Sequence, residues 1–195
     1  MAHASRAGDK LAHALSAFGV HAHGLVCADL GCSTGGFTDC LLQAGAERVY
    51  SVDTGYGVLA YALRTDPRVV VMERTNALHA HPPEACDLVV CDLSWTVQRH
   101  AVPAALRWLK PGGRIITLIK PHYERSAIDR HARGILSDEQ AHAVAQQTLD
   151  AMPTLGAQVL ASAPSPIRGG GGKHKEGTLE WLALLAAEQS GLGNG

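Results

Sequence analysis

Several features are absent from this 195-residue sequence, and each absence excludes a class of protein. No apolar run approaches the roughly 20 residues that a membrane-spanning helix needs. The amino terminus, MAHASRAGDK, lacks the apolar core of a signal peptide. The formal net charge is only −1, so any nucleic-acid partner must be held by local basic patches. We therefore expect a cytoplasmic protein with no membrane partner.

Disulfide and metal frameworks are also missing. The five cysteines contain no CxxC pair, and we expect reduced thiols that pack as small apolar residues. The histidine pairs His21/His23 and His79/His81 have no third ligand at a useful spacing. The sequence therefore predicts no metal site.

Strand-like and helix-like segments alternate along the chain, which is typical of an α/β fold. The predicted strands cover residues 25–30, 48–53, 68–73, 87–92, 114–119, 157–162 and 178–185. The predicted helices cover residues 10–18, 37–44, 58–63, 97–109 and 137–152, the last opened by a capping box, SDEQ. Because β-branched strands separated by helices pair in parallel, we expect a doubly wound sheet covered on both faces. Residues 1–190 are expected to form a single domain, and residues 191–195 a short tail.

A glycine-rich segment, residues 164–177, interrupts this alternation and is predicted to be a loop. Its GGGGKHK run lacks the GxxxxGK[ST] spacing of a phosphate-binding loop and precedes a strand instead of a helix. We therefore do not interpret it as a nucleotide site.

The stretch VCADLGCSTGGF, residues 26–37, predicts a buried strand, a tight glycine turn and the start of a helix. Ser33 stands where a GxGxxG dinucleotide loop has its second glycine, which disfavours a pyrophosphate cofactor and a dehydrogenase. S-adenosylmethionine fits better, with Asp29 facing its ammonium group and the turn amides binding its carboxylate. Asp53 after the second strand is placed to bond ribose hydroxyls, and Asn76 after the third to reach the adenine edge. The predicted cofactor-binding residues are Asp29, Gly31, Ser33, Thr34, Gly35, Gly36, Phe37, Asp53, Asn76 and Asp92.

Charged residues end two predicted buried strands, where charges are rare. Asp92 follows LVVC and Lys120 follows ITLI, and their strands are expected to be neighbours. A lysine can act as a base when desolvation and a second lysine lower its pKa. Lys10 is the candidate second lysine and Glu180 the candidate balancing acid. Taken alone, Lys10 is also typical of a solvated helix and Glu180 of a sheet edge.

Residues 28–77, ADLGCSTGGFTDC through ERTNA, resemble the TlyA family of ribosomal RNA 2′-O-ribose methyltransferases, within the wider FtsJ/RrmJ-like group. Further matches are SRAGDKL at 5–11, DLVVCDLSW at 87–95, LKPGGRIITLIKPHYE at 109–124 and RGIL at 133–136. The resemblance implies a Rossmann-like methyltransferase fold of seven mostly parallel strands, the last one antiparallel. It also implies S-adenosylmethionine as cofactor and RNA, in particular ribosomal RNA, as partner.

The resemblance places the family's catalytic Lys-Asp-Lys-Glu tetrad on Lys10, Asp92, Lys120 and Glu180, with Glu176 as the alternative fourth member. It implies transfer of a methyl group to a ribose 2′-hydroxyl that Lys120 deprotonates or polarises. Family members usually carry a small amino-terminal RNA-binding domain, which we do not expect in this sequence.

The expected RNA contacts are aromatic and basic. Trp95, which replaces the family's phenylalanine, and Tyr123 are candidates to stack on a flipped or single-stranded base. The candidate basic contacts are Arg125, Arg130, His131, Arg133, Arg168, Lys173 and Lys175. Two alternatives stay open: a methyltransferase of a small molecule or protein, and a non-catalytic RNA-binding or hemolysin-like protein.

Overall fold

The computed structural model of the chain describes residues 3–128, 135–169 and 177–188. The helices are α1 (Ala7–Ala17), α2 (Gly36–Gln43), α3 (Tyr61–Arg64), α4 (Gln98–Leu106), α5 (Pro121–Ile128) and α6 (Asp138–Asp150), with a 3₁₀ turn at Met152–Leu155. The strands are β1 (Val26–Leu30), β2 (Arg48–Val52), β3 (Val69–Met72), β4 (Cys86–Cys91), β5 (Leu109–Ile119), β6 (Ala157–Pro164) and β7 (Trp181–Ala187).

The strands form one seven-stranded sheet in the order β3-β2-β1-β4-β5-β7-β6. Strands β1 to β5 pair in parallel, whereas β7 is antiparallel to both β5 and β6. The predicted sheet and its antiparallel last strand are confirmed. Cys91 on β4 pairs with Thr117 on β5, so the residues that follow both strands emerge at the same edge of the sheet.

Apolar clusters cover both faces of the sheet. Along β5, Ile115 and Ile119 belong to the cluster that contains Trp108 of the α4–β5 connection. Ile116 and Leu118 belong to the opposite cluster, with Leu11 of α1. This alternation follows from the two-residue period of a strand, and it explains why the strands read as continuous apolar runs.

Several boundaries differ from the prediction. Helix α4 ends at Leu106, and Lys110–Gly113, expected to follow a longer helix as a turn, belong to β5. Pro121 opens the unpredicted helix α5, because proline's fixed φ suits the first turn of a helix. Strand β7 begins at Trp181 and not at residue 178, so Glu180 precedes it. The predicted capping box is confirmed: Ser137 Oγ accepts the Gln140 amide at 3.2 Å, and Gln140 Oε1 accepts the Ser137 amide at 3.2 Å.

The five cysteines are free and buried, as the sequence predicts. Among the described residues, no three histidine, cysteine or acidic side chains cluster in a way that could hold a metal ion. In the same part of the chain, none of the helices combines the length and apolarity that crossing a bilayer requires.

Candidate active site

The turn after β1 approaches the end of β4 very closely. Gly31 has a φ of +91°, and a Cβ on it would lie 2.8 Å from the carbonyl oxygen of Asp92. The amides of Gly31 and Cys32 donate to the carbonyl of Val52 at 2.9 and 3.0 Å. Glycine is therefore required at position 31 both for the backbone angle and for the space.

Asp53 follows β2 and is bonded to the same turn. Its Oδ2 accepts the Ser33 amide at 2.8 Å, and its Oδ1 accepts the Gly55 amide at 2.8 Å. The Gly35 amide donates to the Cys32 carbonyl at 2.8 Å. Most turn amides are thus bonded inside the protein, which corrects the prediction that they are available to a cofactor carboxylate.

A cleft of ≈ 510 Å³ opens beside this turn. The predicted cofactor residues on its wall are Gly31, Ser33, Thr34, Phe37, Asp53, Asn76 and Asp92, and Lys120 stands on the same wall. Asn76 Oδ1 accepts the Leu78 amide at 2.9 Å, which fixes its side chain. Residues that follow β1, β2, β3, β4 and β5 therefore converge at one edge of the sheet, where ligands bind in doubly wound folds.

Two predicted cofactor glycines do not line the cleft. A Cβ on Gly35 would overlap the Leu63 side chain of α3, and one on Gly36 would overlap Ser5 Oγ. These glycines allow α2 to pack against its neighbours. Their contact with the cofactor stays a prediction.

Asp29 lies behind the turn and does not line the cleft, so its contact with an ammonium group stays a prediction. Its side chain is fully buried, and Oδ2 accepts the Thr38 hydroxyl at 2.7 Å. Thr38 Oγ1 in turn lies 2.8 Å from Ser51 Oγ. Burial raises the pKa of Asp29 to about 7, against the lowering effect of the Thr38 hydrogen bond. Within the described residues, Asp29 Oδ1 is buried without a hydrogen-bond partner.

The four predicted catalytic residues form two close ion pairs. Lys10 Nζ, from α1, donates to Glu180 Oε2 at 2.6 Å, and the side chains are 11% and 2% exposed. Lys120 Nζ lies 2.5 Å from Asp92 Oδ1 and donates to the Leu93 carbonyl at 3.4 Å. Burial raises the pKa of Glu180, and the charge of Lys10 opposes this shift.

A second cavity of ≈ 300 Å³ contains the Lys10–Glu180 pair. It shares Ser5, Ala7 and Lys120 with the larger cleft. The two cavities therefore meet at Lys120: its partner Asp92 lines the larger cleft, and the Lys10–Glu180 pair lines the second cavity. The alternative tetrad residue, Glu176, lies outside the residues that the structure describes.

Sequence reasoning missed His122, which lines the second cavity. Burial lowers the pKa of its imidazole, and the charges of Lys120 and Lys10 lower it further. Its Nδ1 is buried with no hydrogen-bond partner in the described part of the chain. The sequence feature that could have identified His122 is its position directly after Lys120-Pro121 in LIKPHYE.

An aromatic pair, the exposed Trp95 of the larger cleft and the partly buried Tyr123 of the second cavity, lies near the junction of the cavities. Trp95 is 85% exposed and has a φ of +58°, a conformation that is uncommon for a bulky residue and typical of functional sites. Its ring stacks on Tyr123 with a centroid distance of 5.0 Å. Lys120 Nζ lies 5.6 Å from the centroid of Tyr123.

The predicted basic RNA contacts are only partly described. Arg125 is on α5, partly buried, and Arg168 pairs with Asp138 through two contacts of 2.7 Å. The remaining predicted contacts, Arg130, His131, Arg133, Lys173 and Lys175, lie outside the described residues.

Comparison with known proteins identifies the family. The profile of the FtsJ-like methyltransferase family matches residues 3–175. YqxC of Bacillus subtilis, named as a candidate rRNA methyltransferase, is 38% identical over 186 residues, which cover 93% of this chain and 64% of YqxC. The 16S/23S rRNA (cytidine-2′-O)-methyltransferase TlyA of Mycobacterium tuberculosis is 44% identical over 143 residues, which cover 71% of this chain and 53% of TlyA. The chain thus spans between about half and two thirds of the length of these curated relatives.

Solved structures agree with the sequence relatives. A candidate hemolysin from Streptococcus thermophilus superposes with a TM-score of 0.88 at 33% identity, covering 97% of this chain and 69% of that one. The resemblance to TlyA-like proteins is confirmed, and the family implies S-adenosylmethionine as cofactor. Since the family profile covers most of the sequence, the chain belongs to the FtsJ-like methyltransferase family.

Proposed function

We propose that this protein transfers a methyl group from S-adenosylmethionine to a ribose 2′-hydroxyl of ribosomal RNA. The observation that carries the proposal is the meeting of two cavities at Lys120, which pairs with Asp92 of the larger cleft and shares the second cavity with the Lys10–Glu180 pair. The relative TlyA is named for this reaction on cytidines of 16S and 23S rRNA. We further propose that the protein acts in the cytoplasm and that residues 1–190 form one catalytic domain.

The larger cleft has the donors and acceptors that the cofactor needs. We assign Asp53 to the ribose hydroxyls and Asn76 to the adenine edge, since both line this cleft, and Gly31 leaves room where a Cβ would meet Asp92. When bound, the cofactor supplies an electrophilic methyl group on a sulfonium centre.

Lys120 stands where an acceptor hydroxyl in the second cavity would face that cleft. Asp92 orients the Lys120 amine, so that it deprotonates or polarises the hydroxyl while aligning it. Glu180 holds Lys10 in the same cavity, and we assign Lys10 to bind the acceptor hydroxyl. Alignment supplies most of the acceleration, and proton transfer contributes on the order of 10²-fold or more.

The aromatic pair favours a nucleic-acid acceptor over a small molecule or protein. Trp95 exposes a flat apolar surface at the larger cleft and stacks on Tyr123 of the second cavity, and such surfaces stack on unpaired bases. The intact ion pairs favour catalysis over a purely RNA-binding or hemolysin-like role.

The test is methylation of ribosomal subunits and of extracted rRNA with labelled cofactor, followed by mapping of 2′-O-methyl positions. We expect Lys120→Ala to abolish transfer while its cofactor affinity, measured by calorimetry, stays near that of the wild type. Lys110→Ala is the matched control, because Lys110 pairs with Asp87 at 2.9 Å near the opposite end of β5. Label found only in protein or small molecules, or a fully active Lys120→Ala variant, would refute the proposal.

A further inference from the structure

A short segment, Ser165–Gly169, packs against Glu180, the proposed fourth catalytic residue. We call this segment the strap. At one end, the Ser165 amide donates to the Glu180 carbonyl at 2.8 Å. At the other end, Gly169 and Thr178 exchange two backbone hydrogen bonds of 3.0 and 2.9 Å. The strap is therefore bonded at one end to Glu180 itself and at the other end to Thr178, which precedes Glu180.

Gly169 lies where any side chain would collide with the Glu180 carboxylate. A Cβ built on Gly169 would overlap Oε1 of Glu180 and would lie 3.0 Å from Oε2. The φ of Gly169 is not among the left-handed values of this chain, so the backbone alone would accept alanine. Space, and not backbone conformation, is what requires glycine at this position.

The Glu180 carboxylate has little freedom to move away from such a side chain. It is 2% exposed, and its Oε2 is held by Lys10 Nζ at 2.6 Å. Rotating it would break this bond and leave a buried charge without its partner, which is costly.

The strap is also held from outside. The Arg168 guanidinium contacts both carboxylate oxygens of Asp138, at the start of α6, at 2.7 Å each. Ser165 Oγ donates to the Ile167 carbonyl at 2.8 Å and accepts the Ile167 amide at 3.3 Å. These contacts oppose an outward shift of the strap that would make room for a larger residue at position 169.

We propose that Gly169 is a positioning residue for Glu180: its missing side chain lets the strap close over the carboxylate and keep it against Lys10. Its effect on catalysis rests on the proposed methyl transfer, whereas its effect on the Lys10–Glu180 pair does not. A double-mutant cycle between positions 169 and 180 separates the two.

In the activity arm, Gly169→Ala should lower kcat for RNA methylation by roughly 10²-fold, the cost of a 1 Å misplacement, with cofactor affinity unchanged. Glu180→Asp also lowers kcat, because the shorter carboxylate withdraws from Lys10. Adding Gly169→Ala to Glu180→Asp should cost less than threefold more, because the withdrawn carboxylate leaves room for the new methyl group. Gly112→Ala is the control for backbone strain alone: its φ of +79° disfavours alanine, but a Cβ there meets no atom within 4 Å, so it should leave kcat unchanged and lower the urea midpoint equally in both backgrounds.

In the folding arm, urea midpoints are measured for the same four proteins, with no substrate present. Gly169→Ala should lower the midpoint in the wild-type background and change it little in the Glu180→Asp background. If the single variant fails to fold, recovery of folding in the double variant is the supporting result, and failure of both overturns the proposal.

Equal effects of Gly169→Ala in both backgrounds would overturn the positioning role, and so would a fully active Gly169→Ala enzyme. A wild-type protein that methylates no RNA would instead refute the proposed function. The midpoint cycle would still decide whether Gly169 and Glu180 are coupled.

Discussion

The buried carboxylate of Asp29 leads to the sharpest prediction about stability. Asp29 is fully buried behind the cofactor turn, and its one hydrogen-bond donor among the described residues is Thr38. Replacing Asp29 with asparagine keeps an oxygen that can accept the Thr38 hydroxyl, and it removes the group that titrates. The variant therefore tests the cost of charging this site without changing its shape.

The expected magnitude follows from the pKa of Asp29, raised from its ordinary 3.8 to about 7. The difference is about 3 units, and at 1.36 kcal/mol per unit it corresponds to about 4 kcal/mol. Because the folded protein retains a proton that the unfolded chain releases, stability falls as the pH rises from about 4 through about 7. The stability of wild type relative to Asp29→Asn should fall by this amount across that window.

The measurement is urea unfolding of both proteins without cofactor, at intervals from about pH 4 to about pH 8. Only the difference between the two curves is interpreted, because the other titrating groups are common to both proteins. Asp150→Asn, a change of an exposed carboxylate on α6, is the control and should run parallel to wild type. Parallel curves for Asp29→Asn would refute the reasoning, since they would mean that Asp29 is charged in the folded protein throughout.

Three further predictions concern the site itself. Lys10→Met should lower the free energy of unfolding by about 3–5 kcal/mol in urea titrations, because Glu180 is left buried without its partner; the loss should grow with pH as the buried carboxyl is forced to ionise. Gly31→Ala should weaken cofactor binding at least about tenfold in calorimetry, since its Cβ would lie 2.8 Å from the Asp92 carbonyl and its φ of +91° disfavours alanine. Trp95→Ala should raise KM for RNA by about ten- to a hundredfold in methylation assays, because it removes the binding energy of one stacked base, while cofactor affinity stays unchanged.

Each of these predictions has a result that would contradict it. A Lys10→Met protein as stable at about pH 8 as wild type would show that the pair is not buried in solution. Unchanged cofactor affinity in Gly31→Ala would remove the turn from the binding site. An unchanged KM in Trp95→Ala would remove the aromatic pair from the RNA interface, and Trp95→Phe should retain most of the wild-type affinity.

The sequence predicted the sheet and most of the cleft because both depend on local patterns. The runs of β-branched residues predict parallel strands, and polar residues directly after such strands must meet at one edge. Asp53, Asn76, Asp92 and Lys120 were found by this rule and line the cleft.

What the sequence could not predict depends on contacts between distant segments. Asp29 is buried and bonded to Thr38 of α2, a contact between separate elements that no local pattern specifies. In the sequence, Gly169 is one of several glycines in a loop. The need for glycine at this position comes from the Glu180 carboxylate, which follows the loop in the sequence and which a side chain would overlap. Helix α5 was missed because Pro121 marks either a strand exit or a helix start, and only the chain beyond it decides.

The position of β7 between β5 and β6 affects the order in which parts of the site can fold during synthesis. The cofactor cleft is lined entirely by residues up to Lys120, whereas Lys10 must find a partner 170 residues along the chain. Closure of so long a loop is slow, and domains fold during synthesis as their segments become available. A growing chain can therefore assemble the cleft well before β7 enters the sheet, whereas the Lys10–Glu180 pair can form only after Glu180 has been synthesised.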